Sequence, residues 1–192
     1  MKRNILIIIL SVALISLGAV VAYKVFNDKI LSSTSFSRQG GIDTNYFRLK
    51  LPPGWETQEP APEPFLLKAT YVKNGSQDPL ARKINYRTNL SIAHETLEGE
   101  TLATYASLLE AKIKSLQDKT IIRSESQTIF NNNSAYLIDA ETKDNNIELK
   151  NIIVVIQGER DDAWVISLNT TKLDWDNMAF QFYEVLNSFQ LK

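Results

Sequence analysis

The sequence predicts an α+β domain, an α/β/α sandwich around a largely antiparallel sheet, preceded by one transmembrane helix. Residues 4–23 carry no charged side chain. Residues 152–156 are apolar at every position, and a strand without a polar face must be covered on both sides of its sheet. Short polar turns separate the last strand-like segments, which makes those strands antiparallel neighbours. We expect a central sheet of about seven strands, with helices on both faces.

The composition excludes several classes of function. The chain has 192 residues, with 21 basic and 22 acidic side chains, one histidine and no cysteine. Disulfides and thiolate metal sites are therefore excluded, as is every histidine-rich metal site. A formal charge of -1 argues against nucleic-acid binding, which needs a concentrated basic surface. We expect one domain plus an appendage, with no cofactor and no metal.

Residues 1–26 are predicted to anchor the chain in the cell membrane. The apolar run spans roughly 30 Å as a helix, enough to cross a hydrocarbon core. It is longer than the apolar region of a typical cleaved signal, so an uncleaved anchor is favoured, although Val20 and Ala22 resemble a cleavage site. Lys2 and Arg3 precede the run, which predicts a single-pass protein with a cytoplasmic N-terminus and an extracytoplasmic remainder.

Residues 27–44 are predicted to be a flexible linker, and residues 45–192 to form the domain. Small polar side chains dominate residues 32–41 and bury too little apolar surface to offset the chain entropy. The domain's predicted strands follow the alternation of apolar and polar residues and the positions of turn residues. In chain order they cover residues 46–51, 65–72, 86–97, 121–130, 135–143, 147–157 and 163–171.

Turns and helices complete the predicted order. Pro52, Pro53 and Gly54 end the first strand, because proline cannot donate to a sheet ladder. A turn signal at Asn74–Gly75 opens a long polar insert that runs to residue 85. Apolar residues at helical spacing from 102 to 116 predict a helix with Thr101 as its N-cap. A second helix, with Asp174 as its cap, follows the last strand.

Three segments resemble the PsbP family, named for the extrinsic subunit of photosystem II. FRLKLPPGW at 47–55 is similar to the family's opening strand with its P-x-G-W motif, and NLSI at 89–92 to the segment before its first helix. VLNSF at 185–189 is similar to the family's closing signature. The resemblance covers roughly residues 45–192. It implies an α/β/α sandwich. The family's members, including bacterial relatives of unassigned activity, act mainly by binding proteins rather than by catalysis.

Two groups of residues are candidates for catalysis. His94, the only histidine, could pair with Glu95 or a serine, but no nucleophile motif accompanies it, so a half-buried strand histidine is favoured. Asp139 and Glu141 share one strand face and could serve glycoside hydrolysis or hold a divalent ion. Their alternation with apolar residues favours an ordinary solvated strand edge.

Two further features have ordinary structural roles as their favoured interpretation. The adjacent Asp161 and Asp162 could bind calcium, but hairpin aspartates commonly bond their own backbone. Trp55 follows Pro53–Gly54 and is predicted to be a packing anchor rather than a sugar-stacking residue.

The long insert carries a local positive charge. Solvated loops often carry such charges, but long loops on rigid sheets also carry recognition, so these residues are the candidate interaction loop for an acidic partner or anionic polymer. The four residues are Lys73, Arg82, Lys83 and Arg87.

The sequence predicts a membrane-anchored, non-catalytic protein-binding domain on the extracytoplasmic side, which assists assembly or maintenance of an envelope complex. Its partners are then the membrane, through the N-terminal helix, and an unidentified protein. The alternatives are a carrier or sensor of a small apolar ligand and, less favoured, a hydrolase.

Overall fold

A computed structural model describes residues 35–37, 41–116 and 120–192. The predicted anchor, residues 1–26, lies outside the described residues, as do residues 27–34 and 38–40 of the predicted linker. Among the described helices, none has the length and apolarity needed to cross a bilayer.

The centre of the domain is an antiparallel sheet of eight strands, one more than the expected number. Its strands are β1 (Ser35–Ser37), β4 (Trp55–Glu59), β5 (Phe65–Tyr71), β6 (Asn89–Thr96), β7 (Ile121–Phe130), β8 (Asn133–Asp144), β9 (Ile147–Gln157) and β10 (Asp162–Thr171). They lie in the order β1-β4-β5-β6-β10-β9-β8-β7, and every neighbouring pair is antiparallel. The prediction of a largely antiparallel sheet is confirmed.

The first predicted strand belongs to a second, small sheet and not to the central sheet. The small sheet contains β2 (Gly41–Asp43), β3 (Phe47–Lys50) and β11 (Gln190–Leu191), with β3 in the middle. β1 and β2 both fall inside the predicted flexible linker, where they pair with β4 and β3. Alternation alone identifies β3 as a strand, but it does not say which sheet the strand joins.

Helices cover the two faces of the central sheet, as the apolar strands require. They are α1 (Pro79–Lys83), α2 (Leu102–Leu116) and α3 (Trp175–Ser188), the last preceded by a 3-10 turn (Lys172–Asp174). In β9, Val154 packs in the cluster that contains Phe182 of α3, whereas Val155 packs in the cluster that contains Leu109 of α2. Successive residues of β9 therefore serve opposite layers, which explains why the strand has no polar face.

The covering is incomplete at β7, the far edge of the sheet. Residues 123–127 are exposed, although strand pairing with β8 continues past them. A helix is about 10 Å wide and strands are about 4.8 Å apart, so a single helix covers two or three strands. One long helix per face cannot cover eight strands.

Besides the short strands β1, β2 and β11, the strand β4 and the helix α1 escaped the sequence prediction. β4 was missed because its inward positions are Trp55 and the polar Thr57, which do not read as an apolar alternation. Trp55 is buried as predicted, and its indole Nε1 donates to Gln181 Oε1 of α3 at 2.8 Å. α1 was missed because five residues are too few to show a helical period.

Candidate functional site

The predicted interaction loop is an ordered segment between β5 and β6 that contains α1. Asp78 caps α1, since its Oδ1 accepts hydrogen bonds from the backbone N–H groups of Leu80 at 2.8 Å and Ala81 at 3.1 Å. The buried side of the insert joins the end of the sheet in a small apolar cluster of Ala81, Tyr86, Ile147 and Leu149. The insert is thus held by both a cap and a core contact.

Asp174 ties the insert to the start of α3. Its carboxylate accepts hydrogen bonds from Ser76 Oγ at 2.5 Å, Thr171 Oγ1 at 2.7 Å and the backbone N–H of Gln77 at 2.8 Å. Asp174 stands at the N-cap position of α3, as predicted, but its side chain makes no capping hydrogen bond to that helix. The carboxylate instead fixes the insert, a role that helix-capping rules do not indicate.

A cleft of about 300 Å³ lies between the insert and α3. Arg87 stands in its wall, and Arg87 Nη1 donates to the backbone carbonyl of Asn74 at 3.1 Å, which orients the guanidinium. Most of the lining side chains are polar, and four of them are primary amides. The lining residues are Tyr71, Asn74, Gly75, Ser76, Gln77, Arg87, Thr88, Asp174, Asn177, Met178 and Gln181.

The structure brings two of the four predicted cations together at this cleft. Arg87 lines it, and the side chain of Arg82 lies beside Gly75, another lining residue. Lys73 lies beside Gly54 at the entrance to the insert, and Lys83 ends α1 on the exposed side. Within the described ranges none of the four forms an ion pair.

His94 and Glu95 do not form a catalytic pair. His94 Nε2 lies 3.1 Å from Asp162 Oδ1, and its ring centroid lies 4.8 Å from that of Trp164. Glu95 follows it on β6 and so points to the opposite face, where it is only 6% exposed. This separation favours the ordinary strand histidine that the sequence indicated.

Glu95 is a buried carboxyl that the sequence indicated only as a possible partner of His94. Burial raises its pKa to about 8, and the nearby Tyr105 of α2 has its pKa raised by burial and by the charge of Glu95. Among the described residues, Glu95 Oε1 has no hydrogen-bond partner. Strand alternation places Glu95 on the face of the sheet that α2 covers, but the sequence alone does not indicate that the carboxyl is buried there.

Asp139 and Glu141 share a face, as predicted, and both are matched by cations. Lys150 Nζ lies 2.6 Å from Asp139 Oδ1 and 2.7 Å from Oδ2, and it stands 5.1 Å from the ring centroid of Trp175. Glu141 Oε2 is bonded by Arg123 at 2.7 Å and Lys172 at 3.1 Å. Arg123, and then Lys172, hold the pKa of Glu141 below its usual value. This arrangement favours an ion network, because a glycosidase acid needs a raised pKa.

The side chains of the two hairpin aspartates contact other parts of the chain and not, as expected, their own backbone: Asp162 is paired with His94, and Asp161 with the segment before α2. Asp161 Oδ1 accepts the N–H of Gly99 at 3.0 Å, and its carbonyl accepts the N–H of Leu97 at 2.7 Å. This joins the β9–β10 hairpin to the start of α2. Across the described residues, no three His, Asp or Glu side chains are grouped as a metal site requires.

Comparison with solved structures identifies the fold. LpqN of Mycobacterium tuberculosis is 12% identical, with 83% of this chain and 91% of that chain covered and a TM-score of 0.58. The Saccharomyces cerevisiae Ran-binding protein Mog1p is 12% identical, with 83% and 96% covered and a TM-score of 0.56. The chain has the PsbP/Mog1-like fold.

The PsbP-like fold thus agrees with the resemblance seen in the sequence. Cyanobacterial PsbP from Synechocystis sp. PCC 6803 is also similar, at 14% identity, 81% and 98% coverage and a TM-score of 0.49. No protein-family model matches the sequence, and no curated protein matches it either. At these identities the likeness to solved structures describes the fold alone.

Proposed function

We propose that this chain is a non-catalytic protein-binding module, anchored in the cell membrane by residues 1–26. Its PsbP-like domain then lies on the extracytoplasmic side, where it assists assembly or maintenance of an envelope complex. The observation that carries the proposal is the insert face, which carries four cations, two of them at the cleft, and none of the four has an ion pair in the described part of the chain.

The insert face has the physical properties of a recognition surface. Its backbone is held by Asp78 and Asp174, so binding would order little additional chain. Unpaired cations steer a partner of opposite charge and fix its orientation.

Two structural neighbours support an accessory binding role as a proposal. LpqN is described as involved in cell envelope biogenesis, and Mog1p as a Ran-binding protein. A polar cleft does not favour the alternative of a carrier for a small apolar ligand, since such pockets are lined mainly by apolar side chains. The paired states of His94, Asp139 and Glu141 give no support to a hydrolase.

Site-specific crosslinking in cells tests the binding role. A photoreactive amino acid at Lys83, in the insert, is compared with one at Arg160, in the hairpin that precedes β10. The two positions flank opposite ends of the sheet, since β10 separates Arg160 from Asp174. We expect a defined protein adduct from position 83 and none of comparable yield from position 160. Equal adduct patterns at both positions, or no adduct at position 83, would contradict the proposal.

Cysteine labelling tests the topology. The chain has no cysteine, so Lys83→Cys creates a single thiol. A membrane-impermeant maleimide should label that thiol in intact cells, and a known extracytoplasmic cysteine is the positive control. To test the anchor, membranes are washed at alkaline pH, and the protein should stay with them. Labelling only after lysis would place the domain on the other side.

A further inference from the structure

We propose that the cleft between the insert and α3 receives one carboxylate from an acidic, extended segment of the partner, and that Arg87 binds it. The inference rests on the proposed function and adds the chemistry of the partner. It follows from three properties of the cleft, which are the state of its charged groups, the position of Arg87 and the chemistry of the remaining lining.

The acidic groups of the insert and of the cleft are already occupied. Asp78 accepts two backbone N–H groups of α1, and Asp174 accepts three donors from Ser76, Thr171 and Gln77. Neither forms an ion pair with a cation in the described chain, and the four cations of the insert outnumber these two carboxylates, so the insert and the cleft keep a net positive charge. A partner carboxylate would supply the missing opposite charge.

Arg87 is positioned to bind a carboxylate. Its guanidinium carries five N–H donors, and the hydrogen bond from Nη1 to the carbonyl of Asn74 uses one of them while restricting the side chain's rotation. A planar guanidinium can bind both oxygens of a carboxylate at once, and such charge-assisted pairs are about twice as strong as neutral hydrogen bonds. The side chain of Arg87 is half-buried, so salt would screen its pair with a carboxylate less than it would screen a pair made by a fully exposed lysine.

The remaining lining favours a peptide over a polyanion. Asn74, Gln77 and Asn177 each carry a primary amide, which offers both donors and an acceptor and so complements a peptide group. Gln181 is the fourth amide of the lining, and its Oε1 already accepts from Trp55. A polyphosphate chain offers acceptors only, so it would leave the acceptor oxygens of these amides without a donor. At about 300 Å³ the cleft is at the small end of ligand sites, which suits one side chain with its neighbouring peptide groups.

Binding of a defined acidic peptide tests the inference on the full chain in neutral detergent micelles. The probe is fluorescein-labelled acetyl-hexaglutamate, compared with acetyl-hexaglutamine and with inorganic polyphosphate, and anisotropy reports binding. We expect hexaglutamate to bind and hexaglutamine not to bind. Arg87→Gln should weaken hexaglutamate binding by about tenfold or more, the loss typical of a charge-assisted pair. Arg160→Gln, which removes the same charge at the other end of the sheet, should change it by less than about twofold.

Several results would overturn the inference. Equal loss of affinity in Arg87→Gln and Arg160→Gln would indicate net charge alone, and unchanged affinity in Arg87→Gln would remove the cleft from the interaction. Polyphosphate binding that is tighter and equally dependent on Arg87 would assign the cleft to an anionic polymer instead. Urea unfolding of each variant shows whether a loss of affinity reflects loss of structure.

The crosslinking experiment separates this inference from the proposed function. If the adduct from position 83 forms equally in the Arg87→Gln background, the protein partner stands and the cleft inference fails. If no adduct forms but hexaglutamate binding depends on Arg87, the proposed function fails and the carboxylate specificity of the cleft stands.

Discussion

Two regions of the domain use their charges in different ways. On the β8–β9 flank, Lys150 is bonded to Asp139, and Glu141 is bonded by Arg123 and Lys172. In the insert, the carboxylates of Asp78 and Asp174 accept bonds from uncharged donors, and the neighbouring cations have no carboxylate partner in the described residues.

The two regions therefore have different roles: the paired charges serve the stability of the fold, and the unpaired charges are available for recognition. A cation that a neighbouring carboxylate neutralises contributes to folding and offers little to a partner, whereas an unpaired cation on a fixed backbone contributes little to folding and can bind an acidic group. Removing a charge from each region should therefore have different consequences. Among the substitutions that lower stability, we expect Asp174→Ala to lose the most and Arg87→Gln the least.

Replacing Asp174 should have the largest effect, because it removes the carboxylate that holds the insert. In Asp174→Ala, the hydroxyls of Ser76 and Thr171 and the N–H of Gln77 lose their acceptor. We expect the free energy of unfolding in urea to fall by about 3 kcal/mol. Asp176→Ala, which removes an exposed acid from the first turn of α3, is the control and should cost less than about 1 kcal/mol.

Glu95 is a buried carboxyl without a cation partner in the described residues, and it should make the stability of the domain depend on pH. Its pKa in the folded domain is about 8, above the usual 4.5, so between these values the unfolded chain is ionised while the folded domain holds the proton. Unfolding then releases a proton, and the free energy of unfolding should fall by about 1.4 kcal/mol per pH unit over that window and level off above pH 8.

Glu95→Gln should abolish this dependence, so that the difference between variant and wild type grows from pH 5 to pH 7.5. Glu100→Gln, at a nearby exposed position, should keep the wild-type profile. Parallel profiles for wild type and Glu95→Gln would contradict the assignment of a sealed carboxyl.

Lys150 tests the paired region. Lys150 is 9% exposed, so Lys150→Met leaves Asp139 half-buried without its cation, and we expect a loss of about 2 kcal/mol in urea unfolding. Adding Asp139→Leu should recover much of this loss, because the unpaired charge is then gone. Lys143→Met, at an exposed position of β8, should be within about 0.5 kcal/mol of wild type. Additive losses in the double variant would argue against direct pairing.

Arg123 should have a smaller effect, because its pair with Glu141 is partly exposed. In Arg123→Gln the pKa of Glu141, read from its side-chain carboxyl carbon by NMR, should rise toward the usual value, while Lys172 retains part of the shift. A lowered pKa stabilises the fold above the unfolded pKa, and this contribution is lost as the pH falls through the folded pKa. The stability lost at neutral pH should be smaller than that of Lys150→Met, because water and salt screen an exposed pair. Arg160→Gln should leave the titration of Glu141 unchanged.

Arg87 should have the smallest effect on folding. The hydrogen bond from its guanidinium to the carbonyl of Asn74 is at a partly exposed site, so Arg87→Gln should stay within about 0.5 kcal/mol of wild type in urea. A loss as large as that of Lys150→Met would make Arg87 a structural residue and remove the contrast between the two regions.

Local patterns predicted most of the elements, and packing explains the failures. Thr101 caps α2 as expected, with its Oγ1 accepting the N–H of Thr104 at 3.1 Å. The two-sided burial of β9 also follows from its composition. By contrast, the structure has β3 in the small sheet and β4 in the central sheet, which the sequence did not predict. Sheet membership depends on contacts between residues that are distant in the chain. Asp174 was placed correctly but given the wrong partner, since Ser76 lies almost a hundred residues earlier and joins it only in the fold.

By itself, the sequence determined the class of fold, the two-sided burial of the central strands and the local charge of the insert, because these depend on periodicity and composition over a few residues. Tertiary structure alone decided which charges are neutralised. Asp139 and Lys150 meet across paired strands, while Arg87 stands beside a cleft formed with a helix from the far end of the chain. Electrostatic partnership depends on distances of a few ångströms between groups that are remote in sequence, and only the folded chain sets those distances.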